Sequence, residues 1–413
     1  MNANRLVVAM SRVVGSVSLV VVLTIASSCQ SSNSPLSRSV SPDSKRGSLE
    51  LVQVVSAPEE PTIVSADRQG VVAAGRYGAV AAFNSAGREI WRKTVTGPGQ
   101  QILRPMAITP DRVVVPSTPD RIVALNRDTG QEEWGRPVNN PWSVGLDANT
   151  AAVVSRTGIL TTFAVATGNL YGEQNLGFSE AVVDVRVWVR GLVILVAWAD
   201  AAGAHIIALD TDTGIQNWRR DSPLFSTMPA VVADQICNAE NQTLATSRSV
   251  TNGKEDPPIM GRVYCAAISD GTIRWEQALP GFFEQLLDIA ANADTVAAIN
   301  IYGDLVVFDS KSGEMRWRRA TNRNQIEAPL RIAGSVVVLP TYGTGLLAFD
   351  LMTGKRVFNE NPRARPGAVT IEDQAGGSRL FLLVRAGRGT GEVWVLEPSR
   401  TPALARAKAA RLH

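Results

Sequence analysis

Histidine is almost missing from this chain: two residues in 413, His205 and His413. His413 is the last residue and His205 opens an apolar, strand-like run, so neither anchors a Ser-His-Asp or Cys-His arrangement. Cysteine is equally scarce, with Cys29, Cys237 and Cys265. Three cysteines and two histidines at these positions exclude a zinc site of ordinary spacing. No glycine-rich loop follows a strand and opens a helix, which removes the phosphate- and dinucleotide-binding motifs. Helical periodicity is almost absent. Charge is sparse and balanced, at 19% of residues and a net charge of +3. No Lys/Arg run is interleaved with aromatics, so no nucleic-acid partner is expected. The one long apolar run, 13–25, is short for a membrane span.

What is abundant is a repeat. An apolar run ends in Ala-Leu-Asp or a near variant. A short turn, a Gly and, four residues later, a Trp follow. Gly87/Trp91, Gly130/Trp134, Gly214/Trp218, Gly271/Trp275 and Gly313/Trp317 carry it intact. Gly354 carries Phe358 in the Trp place, and Gly168 carries Gly172 there. The Gly-to-Gly gaps are 43, 38, 46, 57, 42 and 41 residues. A period of this size decides the fold before any other feature.

Residues 204–218 show the unit. A β-branched apolar run reads as a buried strand. Asp210-Thr211-Asp212-Thr213-Gly214 reads as a hairpin turn, its first Asp accepting backbone N–H bonds and its Gly taking the positive-φ place. A calcium loop is disfavoured, because spaced ligands and a terminal Glu are missing. Two more strand-like runs precede each hairpin. Four short strands per 40–50 residues predict propeller blades, with the recurrent Trp at an outer strand packing on the next blade. Seven units are complete. Runs at 368–371, 380–384 and 392–396 give three strands of an eighth, and 49–55 is an orphan strand before the first unit. The expectation is an all-β, eight-bladed β-propeller of four-stranded antiparallel blades, its ring closed by the N-terminal strand so that no sheet edge stays open.

The N-terminus reads as an export signal. Arg5 and Arg12 precede the apolar run, and Ala26-Ser27-Ser28-Cys29 follows it. Small residues before a Cys resemble the bacterial lipobox, which makes Cys29 the lipidated first residue of the mature protein. An ordinary cleaved signal peptide is the alternative. The expected organisation is a signal peptide over 1–29, a Ser/Pro-rich tether over 30–47, the propeller over 48–399 and a basic tail over 400–413. In an exported protein Cys237 and Cys265 are expected to form a disulfide, two reduced buried thiols being the alternative. They flank the longest gap of the repeat, so a polar insertion over 238–260 in the fifth blade is expected, stapled at its base. Asn241-Gln242-Thr243 is a formal glycosylation sequon given little weight in a bacterial setting.

The pattern Ala-Leu-Asp-x-x-Thr-Gly-x-x-x-Trp, repeated from about residue 57 to 360, resembles the blade repeat of the pyrroloquinoline-quinone-type propellers. Two groups share that repeat: quinoprotein dehydrogenases, which bind the quinone with Ca²⁺, and non-catalytic BamB-type lipoproteins of outer-membrane barrel assembly. Many of the dehydrogenases place an adjacent Cys-Cys disulfide against the quinone, and this chain has none. The resemblance to the second group implies a lipid-anchored, monomeric scaffold that binds envelope proteins, without catalytic residues, metal or cofactor. A dehydrogenase or a small-ligand sensor using the central cavity is the alternative. Trp91, Trp134, Trp218, Trp275, Trp317 and Phe358 are assigned to blade packing. Blade connections carry Trp142, Phe178, Phe225, Phe282 and Phe283, with Arg363 and Arg365 in the seventh connection. Exposed aromatics beside Arg suit a protein interface, so these seven are the candidate partner contacts.

Overall fold

The computed structural model describes residues 49–58, 61–67, 69–97, 100–179, 182–200, 203–222, 227–243, 249–251, 254–256, 259–279, 285–321, 329–341, 345–360, 365–374, 377–386 and 390–398. The expected signal peptide, tether and tail, with Cys29, lie outside them. The described residues contain no helix and form eight four-stranded antiparallel sheets. In the first, Pro61–Asp67, Gly70–Gly75, Ala79–Asn84 and Glu89–Thr94 pair in chain order. The next six span 107–137, 141–175, 184–222, 230–278, 286–320 and 331–360. The last takes three strands, Arg365–Gln374, Gly377–Ala386 and Thr390–Pro398, from the end of the described chain. Its outermost strand is Leu49–Ser56, paired from Leu49 opposite Pro398 to Ser56 opposite Glu392. Pro398 is the last residue of its strand.

Inner strands of neighbouring blades touch at most junctions, and the eighth blade touches the first through Pro61–Asp67. Burial peaks in the middle strands of each blade; innermost strands such as Asp184–Arg190 alternate and outer strands are mostly exposed. Second strands such as Thr150–Ser155 and Thr295–Asn300 are buried at every position. Outer strands such as Glu89–Thr94 bury one side chain in six, the Trp. Each blade thus keeps an all-round apolar centre and a half-wet rim, as the mix of continuous and alternating runs requires.

The hairpin reading holds in atomic detail. Asp210 Oδ1 accepts the backbone N–H of Asp212 (3.2 Å) and Thr213 (2.9 Å), and Gly214 N–H closes on Asp210 O at 2.9 Å. Gly214 has φ +69°. The ladder then shifts register between Ala208 and Leu209, placing Trp218 opposite the small Ala208.

In the fifth blade Cys237 and Cys265 are bonded, as expected, and sit opposite each other in one ladder. The expected insertion is corrected at both ends. Gln235–Thr243 pairs without a break with Ile259–Ala267, so 238–243 and 259–260 belong to the blade. A small hairpin, Ser249–Thr251 with Lys254–Asp256, lies in what remains. The polar stretch misled because Asn238, Glu240 and Asn241 are buried with polar partners. Arg262 bonds Glu240 at 2.8 Å and Glu276 at 3.0 Å. Asn238 donates to the Tyr264 hydroxyl at 3.4 Å, and burial pushes that hydroxyl's pKa up. Asn241 Oδ1 accepts Leu286 N–H at 2.8 Å, tying the fifth blade to the sixth.

Candidate functional site

The repeat Trp is a dowel between blades. The indole N–H of Trp91 donates to Arg127 O of the next blade (2.8 Å), Trp134 to Val165 O (2.8 Å), Trp218 to Ile268 O (2.7 Å), Trp275 to Ser310 O (2.6 Å) and Trp317 to Leu351 O (2.8 Å). Each ring lies flat on the turn glycine of the receiving blade. A Cβ on Gly130, Gly168, Gly271, Gly313 or Gly354 would stand 2.5–2.8 Å from that ring. The glycine is therefore required twice, for its positive φ and as the seat of the preceding indole. Phe358 is buried, consistent with its packing assignment.

Of the expected partner contacts, Trp142 is corrected by its burial, while Phe178 is half-buried. Trp142 is 9% exposed in strand Pro141–Leu146, with the Arg104 guanidinium 3.4 Å above its ring centre and Arg156 at 5.3 Å. Burial lowers the Arg104 pKa, and Asp184 opposes that shift. Phe178 stacks on Trp198 at 4.7 Å in the core shared by the third and fourth blades. The Trp142 ring fills space between blades, because apolar area at a narrow junction is covered by the neighbouring blade, and the half-buried Phe178 ring packs against the same core. Phe225, Phe282, Phe283 and Arg363 lie outside the described residues. Arg365 opens strand Arg365–Gln374.

Inner strands converge on a central channel whose chemistry the sequence reading missed. A cavity of about 540 Å³ is lined by Arg186 and Trp188 of the fourth blade, Met228 of the fifth, Asp288 of the sixth and Arg331 of the seventh. Asp288 accepts the N–H of Leu330 at 2.5 Å and of Ile289 at 2.9 Å. Enclosure by protein raises its carboxyl pKa, against the pull of Arg331. Enclosure also lowers the Arg331 pKa. A smaller cavity of about 220 Å³ shares Arg186 and Trp188. The signal was available: one charge inside each of two apolar inner-strand runs, Leu286–Ala291 and Arg331–Ala333.

His205 is part of the fourth-blade packing. Its ring stacks on Trp198 at 4.8 Å, and its nitrogens face Asp221 at 2.6 Å and Asp200 at 3.2 Å.

The quinone–calcium pair of the dehydrogenases can be tested against these residues. Among the described residues no three His, Cys, Asp or Glu side chains converge to hold a metal ion. The one acid of the larger cavity, Asp288, faces Arg331 and Arg186, whose charge disfavours a bound dication. The paired cysteines are 28 residues apart and cross-strand. The described residues do not fit that pair.

Several solved structures share the fold. BamB from Moraxella catarrhalis matches with a TM-score of 0.60 at 17% identity, covering 84% of this chain and 97% of that one. The computationally designed Ika8 protein matches at 0.59 and 13% identity, over 84% and 99%. The quinohemoprotein alcohol dehydrogenase ADHIIG from Pseudomonas putida HK5 matches at 0.58 and 10% identity, over 85% and 76%. No curated protein sequence matches. A family model described as outer membrane protein assembly factor BamB matches residues 43–141, 120–256 and 259–399. With nearly the whole propeller matched and its repeat residues placed at the blade junctions, the chain belongs to the BamB family of PQQ-like repeat proteins.

Proposed function

We propose that the chain is a non-catalytic scaffold of the bacterial envelope, tethered to a membrane through lipidated Cys29, that binds other envelope proteins as a monomer. The observation carrying this reading is the family match over almost the entire propeller. The repeat agrees with a scaffold, since its Asp, Gly and Trp are committed to turns and junctions. Contacts with partners are assigned to Phe225, Phe282, Phe283, Arg363 and Arg365, in or beside the blade connections. Crosslinking in native envelope followed by mass spectrometry tests the reading. Reproducible adducts that weaken in Phe283→Ala support it. An unaltered adduct set in that variant removes this face.

A second reading, a quinoprotein oxidoreductase or small-ligand sensor, has one observation in its favour: a roomy channel with Trp188, Arg186 and Arg331. Adding the quinone with Ca²⁺ to purified protein tests it. Saturable binding with dye-linked turnover would replace the scaffold reading.

A further inference from the structure

The junction between the third and fourth blades lacks its dowel. At the Trp position of the third blade stands Gly172, opposite Thr162 as Trp218 stands opposite Ala208. The receiving turn, 210–214, is nevertheless built like the others: the same Asp cap, the same positive-φ Gly214, the same close of Gly214 N–H on Asp210 O. Among the described residues a Cβ on Gly214 would meet only Gln174 Oε1, at 3.4 Å, where five other turn glycines would meet an indole. Those five glycines are buried, and Gly214 is half-buried. Thr211, whose carbonyl corresponds to Arg127 O and Ser310 O, is likewise half-buried where both of those residues are buried. Among the described residues no donor reaches that carbonyl.

We propose that this vacant seat is a docking site for a Trp side chain of a partner protein, delivered by an extended segment with a basic residue two positions after the Trp. Five junctions define the occupant's shape: a flat ring over the glycine with its N–H on the turn carbonyl. Three define its second residue. Arg136 donates to Gly168 O at 2.7 Å, Arg220 to Gly271 O at 3.0 Å and Arg319 to Thr353 O at 3.4 Å, each two positions past its Trp. Gln174 stands at that place in the third blade. Charge agrees: turn 210–214 holds Asp210 and Asp212, strand Leu170–Asn175 holds Glu173, and neither holds a Lys or Arg. Apolar surface flanks the seat in sequence. Leu170 and Tyr171, just before Gly172, are each 60% exposed, and Ile215, just after Gly214, is 66% exposed.

The occupant comes from another molecule. All nine Trp of the chain lie in described strands, and residues 1–48 and 399–413 contain no Phe, Tyr or Trp. The contact rests on the scaffold reading and gives it a specific surface. Its test uses isolated protein, so it fails separately: envelope partners found elsewhere on the ring leave the scaffold standing.

The probe is an end-blocked peptide with the sequence of Gln216–Ser222, QNWRRDS, which presents Trp-x-Arg. Saturable binding to the full chain is expected, with NMR amide shifts at 211–215. Replacing the peptide Trp by Ala should weaken it at least tenfold. Gly172→Trp should fill the seat in cis, weaken peptide binding at least tenfold and keep or raise the Tm. Absent binding, shifts elsewhere, equal binding to Gly172→Trp, or a lowered Tm in that variant overturns the proposal. Should Gly172→Trp not fold, the shift map on the unaltered chain decides by the same criteria.

Discussion

At the residue scale the stability of the ring is concentrated in the Trp–Gly pairs. A ring that buries on the order of 150–250 Å² and also satisfies a carbonyl of the next blade is expensive to remove. Trp275→Ala is expected to cost about 3–5 kcal/mol, read by denaturant unfolding. Trp275→Phe keeps a ring but abandons Ser310 O, and about 1–2 kcal/mol is expected. The turn acids set a pH dependence. Ser312 N–H and the Arg316 guanidinium, with Lys311 N–H, hold the Asp309 carboxyl well below the usual range. Its contribution is complete above the unfolded value of about 4 and is lost as pH falls through the lower folded value. Asn126 occupies the same cap in the second blade, accepting from Asp128 and Thr129. Asp309→Asn should therefore keep the turn, lower the Tm at pH 7 through loss of the Arg316 pair, and flatten its fall between pH 5 and pH 2. The Trp and its glycine were legible as a spacing. The acceptor carbonyl was not, because backbone atoms leave no mark on composition.

At the element scale the fifth blade shows where pattern reading runs out. The strand Gln235–Thr243 places Asn238, Glu240 and Asn241 inside, so the apolar alternation that marks a strand is absent. Polar partners that are remote in sequence, Arg262, Tyr264 and Leu286, satisfy these groups. No single-strand pattern carries that information. The Cys pair was legible from compartment and spacing, and its position within the ladder was not. Reducing Cys237–Cys265 should remove up to about 3 kcal/mol in the chain-entropy model. A lowered Tm with unchanged far-ultraviolet dichroism is expected, since the ladder extends six pairs past the bond to Thr243 opposite Ile259. A shift of the same size in a Cys237→Ser/Cys265→Ser double variant checks the assignment.

At the scale of the whole molecule, closure by the N-terminal strand followed from counting strands against repeats: three runs at the end lacked a fourth, and one run at the start lacked a blade. Deleting 49–56 should expose the edge of Thr390–Pro398 and give an aggregating or non-cooperatively melting chain, seen by light scattering and calorimetry. The central channel was less legible, because its charges come from blades far apart in sequence and meet only after the ring closes. The repeat spends its recurring residues on holding blades together. Positions that break it are free for recognition, and Gly172 is the break with an empty seat opposite. Site-directed photocrosslinking of the full chain in native envelope is the most direct measurement, with the crosslinker at 171 beside the open junction and at 315 beside the filled one. The expected result is a discrete protein adduct at 171, absent at 315 and lost on Gly172→Trp; equal labelling at both positions, or none at either, would contradict this account of how the propeller binds.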